Sequence, residues 1–169
     1  MQKERDFFMV RIRKSINEEA SILWNIQKQA FLPLYEKYHD KANPYLRGIE
    51  DITRRIESSM FRYYTILEDD KIVGGIVYRC RDAGEYYLQR VYIKPERQGK
   101  RIAQTAILLC ENEFEDATCF TVDFPQDLEK NRRCYEKAGF CDTGRREEAE
   151  PGVVLAFYKK SITLEQDNV

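Results

Sequence analysis

Histidine is nearly absent: His39 is the only one in the chain. That argues against a His-rich metal site and against a Ser-His-Asp triad. His39 sits among Tyr35, Tyr38, Asp40 and Tyr45 and reads as a surface residue. The five cysteines, Cys80, Cys110, Cys119, Cys134 and Cys141, are odd in number and contain no C-x-x-C pair. They read as reduced, mostly buried thiols, not as a disulfide framework or a zinc site. No apolar run approaches the roughly 18 residues that a membrane-spanning helix requires. The opening stretch MQKERDFFMV lacks the apolar core of a secretory signal, so a cytoplasmic protein is expected. Nor is there an excess of one charge: 28 Lys and Arg face 29 Asp and Glu, for a formal net charge of −1. That balance argues against a nucleic-acid binder, and the Arg pairs at 54–55, 132–133 and 145–146 read as solvated faces among acidic neighbours. Neither G-x-x-x-x-G-K-[ST] nor G-x-G-x-x-G occurs, which removes the common nucleotide cradles.

What is present is an ordinary globular composition, 43% hydrophobic and 34% charged over 169 residues. It suits one domain over 1–169, with a core at about 9–161. Alternation marks strands at 9–14, 62–68, 71–80 and 85–94, with tight turns at Asp69–Asp70 and at 82–84. Asn17 is expected to cap a first helix, with Glu18 and Glu19 in its first turn. Leu23, Ile26, Ala30 and Leu34 form its apolar stripe, and Pro33 is expected to kink or end it. A second helix is expected over 49–59. A third follows Gly99, burying Ile102, Ala106, Leu109, Cys110 and Phe114. A strand at 118–123, a helix at 127–138 closed by Gly139, strands at 139–146 and 153–161, and a frayed tail complete the order. The resulting β-α-α-β-β-β-α-β-α-β-β series predicts an α/β fold, a mixed sheet with helices on both faces. The strand–helix–strand unit from residue 85 onward requires at least one parallel pair.

Chemistry concentrates where the strand at 85–94 meets Pro95, Gly99 and the next helix. A helix N-terminus leaves N–H groups unpaired and carries positive potential, and glycine lets an anion approach the backbone. Lys100 and Arg101 add charge beside it. On physics alone this loop is either a phosphate site or a plain left-handed turn.

The string RVYIKPERQGKRIA at 90–103 resembles the cofactor motif of the GNAT superfamily of N-acetyltransferases: hydrophobic strand, Pro-Glu, then Gln/Arg-x-x-Gly-x-Gly/Ala. Gln98, Gly99, Lys100, Ile102 and Ala103 match it. Arg101 departs, standing where the family usually has glycine. CYEKAGF at 134–140 is similar to the Tyr-Glu-Lys-x-Gly-Phe segment that closes the family's site, and the likeness extends roughly from residue 9 to 161.

The resemblance implies a central mixed, mostly antiparallel sheet of about seven strands flanked by about four helices. It implies a V-shaped splay between the strands at 85–94 and 118–123. Acetyl-CoA is the implied cosubstrate, with no metal. Val91, Tyr92 and Ile93 would border the pantetheine arm, Val91 and Ile93 bonding it through freed backbone. Amides of Gln98, Gly99, Lys100, Arg101, Ile102 and Ala103 would hold the pyrophosphate. Arg101 either takes positive φ, at a cost of about 1 kcal/mol, or takes negative φ and sends its guanidinium to a phosphate. The second is expected, because Ile102 and Ala103 continue directly as helix. Asn131, one turn before Tyr135, either touches pantetheine or faces solvent.

By the same resemblance Tyr135 protonates the departing thiolate, a transfer that thioester chemistry requires. Without it, Tyr135 is an amphipathic helix-end residue. For the base, the middle of the strand at 85–94 offers only Gln89 and Arg90, which leaves Glu85 at its start, or water wires without a dedicated base. Tyr35, Tyr38, Tyr45, Tyr63 and Tyr64 are candidates for an aromatic acceptor pocket, and Glu36, Asp40, Glu50 and Asp51 suit a cationic amine. The expected activity is acetyl transfer from acetyl-CoA to a primary amine, of a small molecule or a peptide, by direct attack in a ternary complex. The alternative is a non-catalytic CoA-binding sensor or interaction protein. Neither nucleic acid nor membrane is an expected partner, and a homodimer through the last strands is plausible.

Overall fold

The computed structural model describes residues 9–163. Its elements run β1 (Val10–Lys14), α1 (Ala20–Tyr38), α2 (Ile49–Glu57), β2 (Phe61–Glu68), β3 (Lys71–Cys80), β4 (Glu85–Ile93), α3 (Ile102–Glu111), β5 (Cys119–Pro125), α4 (Glu129–Lys137), β6 (Cys141–Glu150) and β7 (Val153–Ser161). The seven strands form one sheet in the order β1-β2-β3-β4-β5-β7-β6. All neighbours are antiparallel except β4 and β5. The α/β fold, the element order and the parallel crossover pair are those read from the sequence.

Period-2 alternation divides the core between the two faces of the sheet. Tyr64, Ile76, Tyr78, Leu88, Phe120 and Phe124 point to one face, under α3 and α4. Tyr63, Val77 and Tyr92 point to the other, where Leu23, Ile26 and Ile52 of α1 and α2 cover them. The β2–β3 turn is tight because Asp69 and Asp70 both adopt positive φ, 47° and 66°, which matches the twist of the flanking strands.

Two irregularities in β4 create the site. Val77 lies opposite Arg90, yet Tyr78 lies opposite Leu88, so Gln89 is an extra, bulged residue. On its other side β4 pairs with β5 only at Glu85↔Cys119, Tyr86↔Phe120 and Tyr87↔Thr121. Beyond Tyr87 the two strands part.

Helix α1 departs from expectation at both ends. Asn17 is not its cap: Asn17–Glu19 form a 3-10 turn, and the Asn17 side chain donates to Glu57 at 2.7 Å. Glu19 is buried and accepts from Arg13, from the Ile16 N–H and from the Thr65 hydroxyl, so specific partners fix it in place of the dipole alone. The helix also runs through Pro33 to Tyr38. Phe31 against Tyr92 and Tyr35 against Tyr45 hold it on either side of the proline, and these contacts outweigh one lost backbone bond. Helix α2 ends at Glu57, α3 at Glu111, leaving Phe114 buried from the following turn, and β6 continues to Glu150. The expected frayed tail falls mostly outside the described residues, as does most of the segment before β1. Among the described residues no helix is long and apolar enough to cross a membrane.

Candidate active site

A groove of about 570 Å³ runs along the half of β4 that has parted from β5, within the range of small-ligand sites. Its walls are α1 at Ala30, Phe31 and Leu34, the open half of β4, the loop into α3, and α4. Arg97, Arg101, Lys130, Arg133 and Lys137 line it, and no acidic residue does. Arg97 is already paired, with two bonds to Glu68 at 2.6 and 2.8 Å. The remaining cations give the groove a positive potential suited to a phosphorylated ligand.

The open edge of β4 is backbone. Lys94 N–H donates to the Val73 carbonyl at 2.7 Å, so alternate residues of β4 turn their polar groups toward β3 and those between turn them toward the groove. Tyr92 belongs to the first set: a Cβ on Gly74 of β3 would collide with its carbonyl oxygen. Val91 and Ile93 therefore face the splay, where a pantetheine pseudo-strand would lie. Tyr92 lines the groove but offers it no polar group, because its hydroxyl is bonded to that of Tyr63 at 2.5 Å. The Ile93 carbonyl is taken as well, by the Gln98 side-chain amide at 3.0 Å.

The loop after β4 places a row of amides at the head of the groove. Gln98 is not part of that row, since its N–H donates to the Pro95 carbonyl at 3.3 Å. From residue 99 to residue 104 no backbone N–H has a partner among the described residues, and the first helical bond comes from Thr105 back to Arg101 at 3.0 Å. Gly99 has φ 75°, and a Cβ there would meet nothing within 4 Å, so its backbone is itself the surface.

Arg101 corrects the sequence reading. Its φ is 63° and ψ 17°, left-handed, whereas negative φ was expected. The chain leaves Gln98 extended, at φ −70° and ψ 160°, and must reverse within three residues to enter α3. Left-handed steps at Gly99 and Arg101 accomplish this, and the arginine bears about 1 kcal/mol of strain or more. The side chains of Lys100 and Arg101 are exposed beside the amide row.

Tyr135 closes the other end. It is 7% exposed and sits against Phe124 and Phe140, with ring centroids 5.1 and 6.0 Å away. Its hydroxyl has no hydrogen-bond partner among the described residues. Burial pushes its pKa well up, and Cys134, Tyr87 and Asp123 add to the shift, so it is held as a proton donor. Neighbouring Cys134 lines the groove, but burial pushes its thiol up to about 11, away from a nucleophilic thiolate. Asn131 lines the groove one turn earlier.

Glu85 is not in the groove. It lies in the closed half of β4, opposite Cys119 and 3.9 Å from Arg81, before the strands part. Asp123 of β5 stands where the strands part, though like Glu85 it does not line the groove. Its Oδ2 accepts the Tyr87 hydroxyl at 2.8 Å. Burial raises its pKa, outweighing the Tyr87 bond and the charges of Arg81 and Arg145. The alternation Phe120, Val122, Phe124 already assigned Asp123 to the opposite face, but the sequence reading looked for a base on β4 alone.

Behind the bulge lies a buried ionic cluster that local sequence could not reveal. Asp51 accepts from Arg55 at 3.0 Å and from Arg90 at 2.9 Å. Gln27 accepts from Arg90 at 3.3 Å, and Arg55 reaches the Gln89 side chain. Burial opposes the Asp51 charge, yet the hydrogen bonds from Arg55 and Arg90 win and hold its pKa at about 2. Asp51 is thus committed to arginines and unavailable to an acceptor. The expected aromatic pocket also dissolves. Tyr63 is core, Tyr64 points to the far face, and Tyr38 donates to Asp127 at 2.6 Å. Only Tyr35 and Tyr45 stack, 5.2 Å apart, with His39 edge-on to Tyr35.

A sequence model of the acetyltransferase (GNAT) family matches residues 21–140. The chain belongs to that family. No curated protein matches it. Among solved structures, the PaiA N-acetyltransferase of Thermoplasma acidophilum in complex with coenzyme A superposes with a TM-score of 0.73 at 19% identity, covering 91% of this chain and 99% of that one. The ribosomal-protein-S18-alanine N-acetyltransferase of Escherichia coli gives 0.74 at 12% identity, over 95% and 99%. The spermidine N-acetyltransferase of Vibrio cholerae with CoA and spermine gives 0.72 at 13%, over 90% and 95%. At these identities the GNAT likeness is one of fold. Among the described residues of this GNAT chain, no group of His, Cys, Asp and Glu is arranged to hold a metal ion.

Proposed function

We propose that this GNAT protein transfers an acetyl group from acetyl-CoA to a primary amine, by direct attack in a ternary complex. The observation that carries the reading is the continuity of the groove: unpartnered amides at 99–104, open backbone at Val91 and Ile93, then the unbonded hydroxyl of Tyr135. Those features fit coenzyme A part by part. The amide row and α3 N-terminus, with Lys100 and Arg101 beside them, suit a pyrophosphate. Lys130, Arg133 and Lys137 supply further positive charge along α4. Val91 N–H and C=O and the Ile93 N–H suit the amides of a pantetheine arm, with Asn131 on the facing wall. Similar folds include enzymes crystallised with CoA and acetyl-CoA.

Acetyl-CoA supplies the activated acetyl thioester. Tyr135 supplies the proton that the departing sulfur needs, and its raised pKa keeps that proton in place at neutral pH. The protonated thiol of Cys134 supports direct transfer without an acyl-enzyme. Thermal unfolding with acetyl-CoA, CoA and ATP tests the reading. Both CoA species should raise Tm by mass action and ATP should not; stabilisation by ATP alone would refute it.

A further inference from the structure

Acetyl transfer leaves one role without a residue, the group that takes the proton from the acceptor's ammonium. The core beneath α1 and α2 is built from β2, β3 and β4 and includes no residue of β5, β6 or β7. On that same side of the sheet the Arg145 guanidinium lies over the Phe157 ring at 4.3 Å, and the Thr121 hydroxyl is buried without a partner among the described residues. Asp123 is opposite Phe157 there, and Pro125 opposite Leu155; Phe157 and Leu155 are both half-buried. Asp123 is the first residue on this side after Thr121, the last of β5 to pair with β4, so its carboxylate stands where the splay begins. Oδ2 is held by Tyr87, and Oδ1 has no hydrogen-bond partner among the described residues.

We infer that Asp123, steadied by Tyr87, receives a primary alkylammonium where β4 and β5 part and takes its proton. The inference rests on the acetyl-transfer reading above. An N–H bond breaks and an O–H bond forms on Oδ1, which frees the nitrogen lone pair for the acetyl carbon. As the N–C bond forms and the C–S bond breaks, sulfur takes the Tyr135 proton, and the surplus proton on nitrogen returns to the phenolate through water. Charged groups around it are Arg81 before β4, Arg145 and Glu147 on β6, and Lys159 of β7, which is opposite Thr121. Arg145 and Glu147 neutralise each other at 2.7 Å, and Arg81 lies over the Tyr87 ring with Glu85 3.9 Å away. Glu147 is bonded to Arg145, whereas Asp123 is bonded to the Tyr87 hydroxyl. Burial makes Asp123 a stronger proton acceptor than an exposed aspartate.

The test uses the full chain as wild type, Asp123→Asn and Tyr87→Phe, with two probes: butylamine, and trifluoroethylamine, which is already neutral at pH 7. Asp123→Asn should lower kcat/KM for butylamine at least about 100-fold and remove the acidic limb of its pH profile, yet spare trifluoroethylamine to within about tenfold. Tyr87→Phe removes a bond that favours the carboxylate, so the acidic limb should move to higher pH. Equal losses on both amines, or an unchanged limb in Asp123→Asn, would overturn the assignment. Stabilisation by acetyl-CoA, read on the same samples, should persist in both variants; its absence in all three proteins would instead sink the acetyl-transfer reading. Turnover of neither amine by a wild-type chain that acetyl-CoA stabilises would likewise overturn the assignment.

Discussion

The Gln98 side chain donates to the Ile93 carbonyl at 3.0 Å, tying the amide-rich loop to the last residue of the open strand. The bond fixes the distance between the strand edge and the amide row, the two surfaces that a single extended cofactor must reach together. Gln98→Ala should therefore raise KM for acetyl-CoA, with kcat changed less. One lost hydrogen bond of about 1 kcal/mol corresponds to roughly a fivefold rise. Initial rates at varied acetyl-CoA check it.

Arg101 makes two separable predictions. Arg101→Gly relieves the left-handed strain at φ 63°, while Arg101→Ala keeps it. Even after glycine's greater unfolded-state freedom is counted, the Gly variant should have the higher Tm of the two. If the guanidinium meets a phosphate, both variants should raise KM for acetyl-CoA equally. A Gly variant that binds as well as wild type would make Arg101 a tolerated departure.

Tyr135→Phe should reduce kcat by about 100-fold or more with KM for acetyl-CoA little changed, because only the proton is removed. Since burial raises the Tyr135 pKa, its ionisation should not limit the rate below about pH 10. An alkaline limb below that point that vanishes in the Phe variant would contradict the assignment.

Asp51 links stability to acid. Its pKa is 3.8 in the reference state and about 2 in the fold, so its charge contributes stability above about pH 4. That contribution fades as pH falls from about 4 toward 2. Asp51→Asn should flatten this part of the stability curve. It should also cost about 3–5 kcal/mol, because Arg55 and Arg90 stay buried without their counter-charge. Urea unfolding at several pH values measures both effects.

The sheet and its helices were legible because period-2 and period-3.6 patterns alternate cleanly and the Pro95–Gly99 loop announces a helix start. The extent of α1 was not, because tertiary contacts at Phe31 and Tyr35 overrule the local rule for Pro33. The cofactor side of the site was readable as a contiguous string, though Arg101 is left-handed where negative φ was expected. The other side was not readable in the same way. Asp123 and Tyr87 are brought together by a crossover, and Asp51 meets Arg90 from a different element, so no local spacing encodes either pair. The bulge at Gln89, just past the last β4–β5 pair, is likewise a property of strand pairing.

The most direct test of the central claim is amine-dependent release of free thiol from acetyl-CoA, with mass spectrometry of the amine. Across a panel of small amines, polyamines and peptide N-termini, at least one should gain a single acetyl group in step with thiol release. That turnover should fall about 100-fold or more in Tyr135→Phe. Binding of acetyl-CoA without thiol release on any amine, unaltered by Tyr135→Phe, would contradict it and leave a CoA-binding protein that does not catalyse transfer.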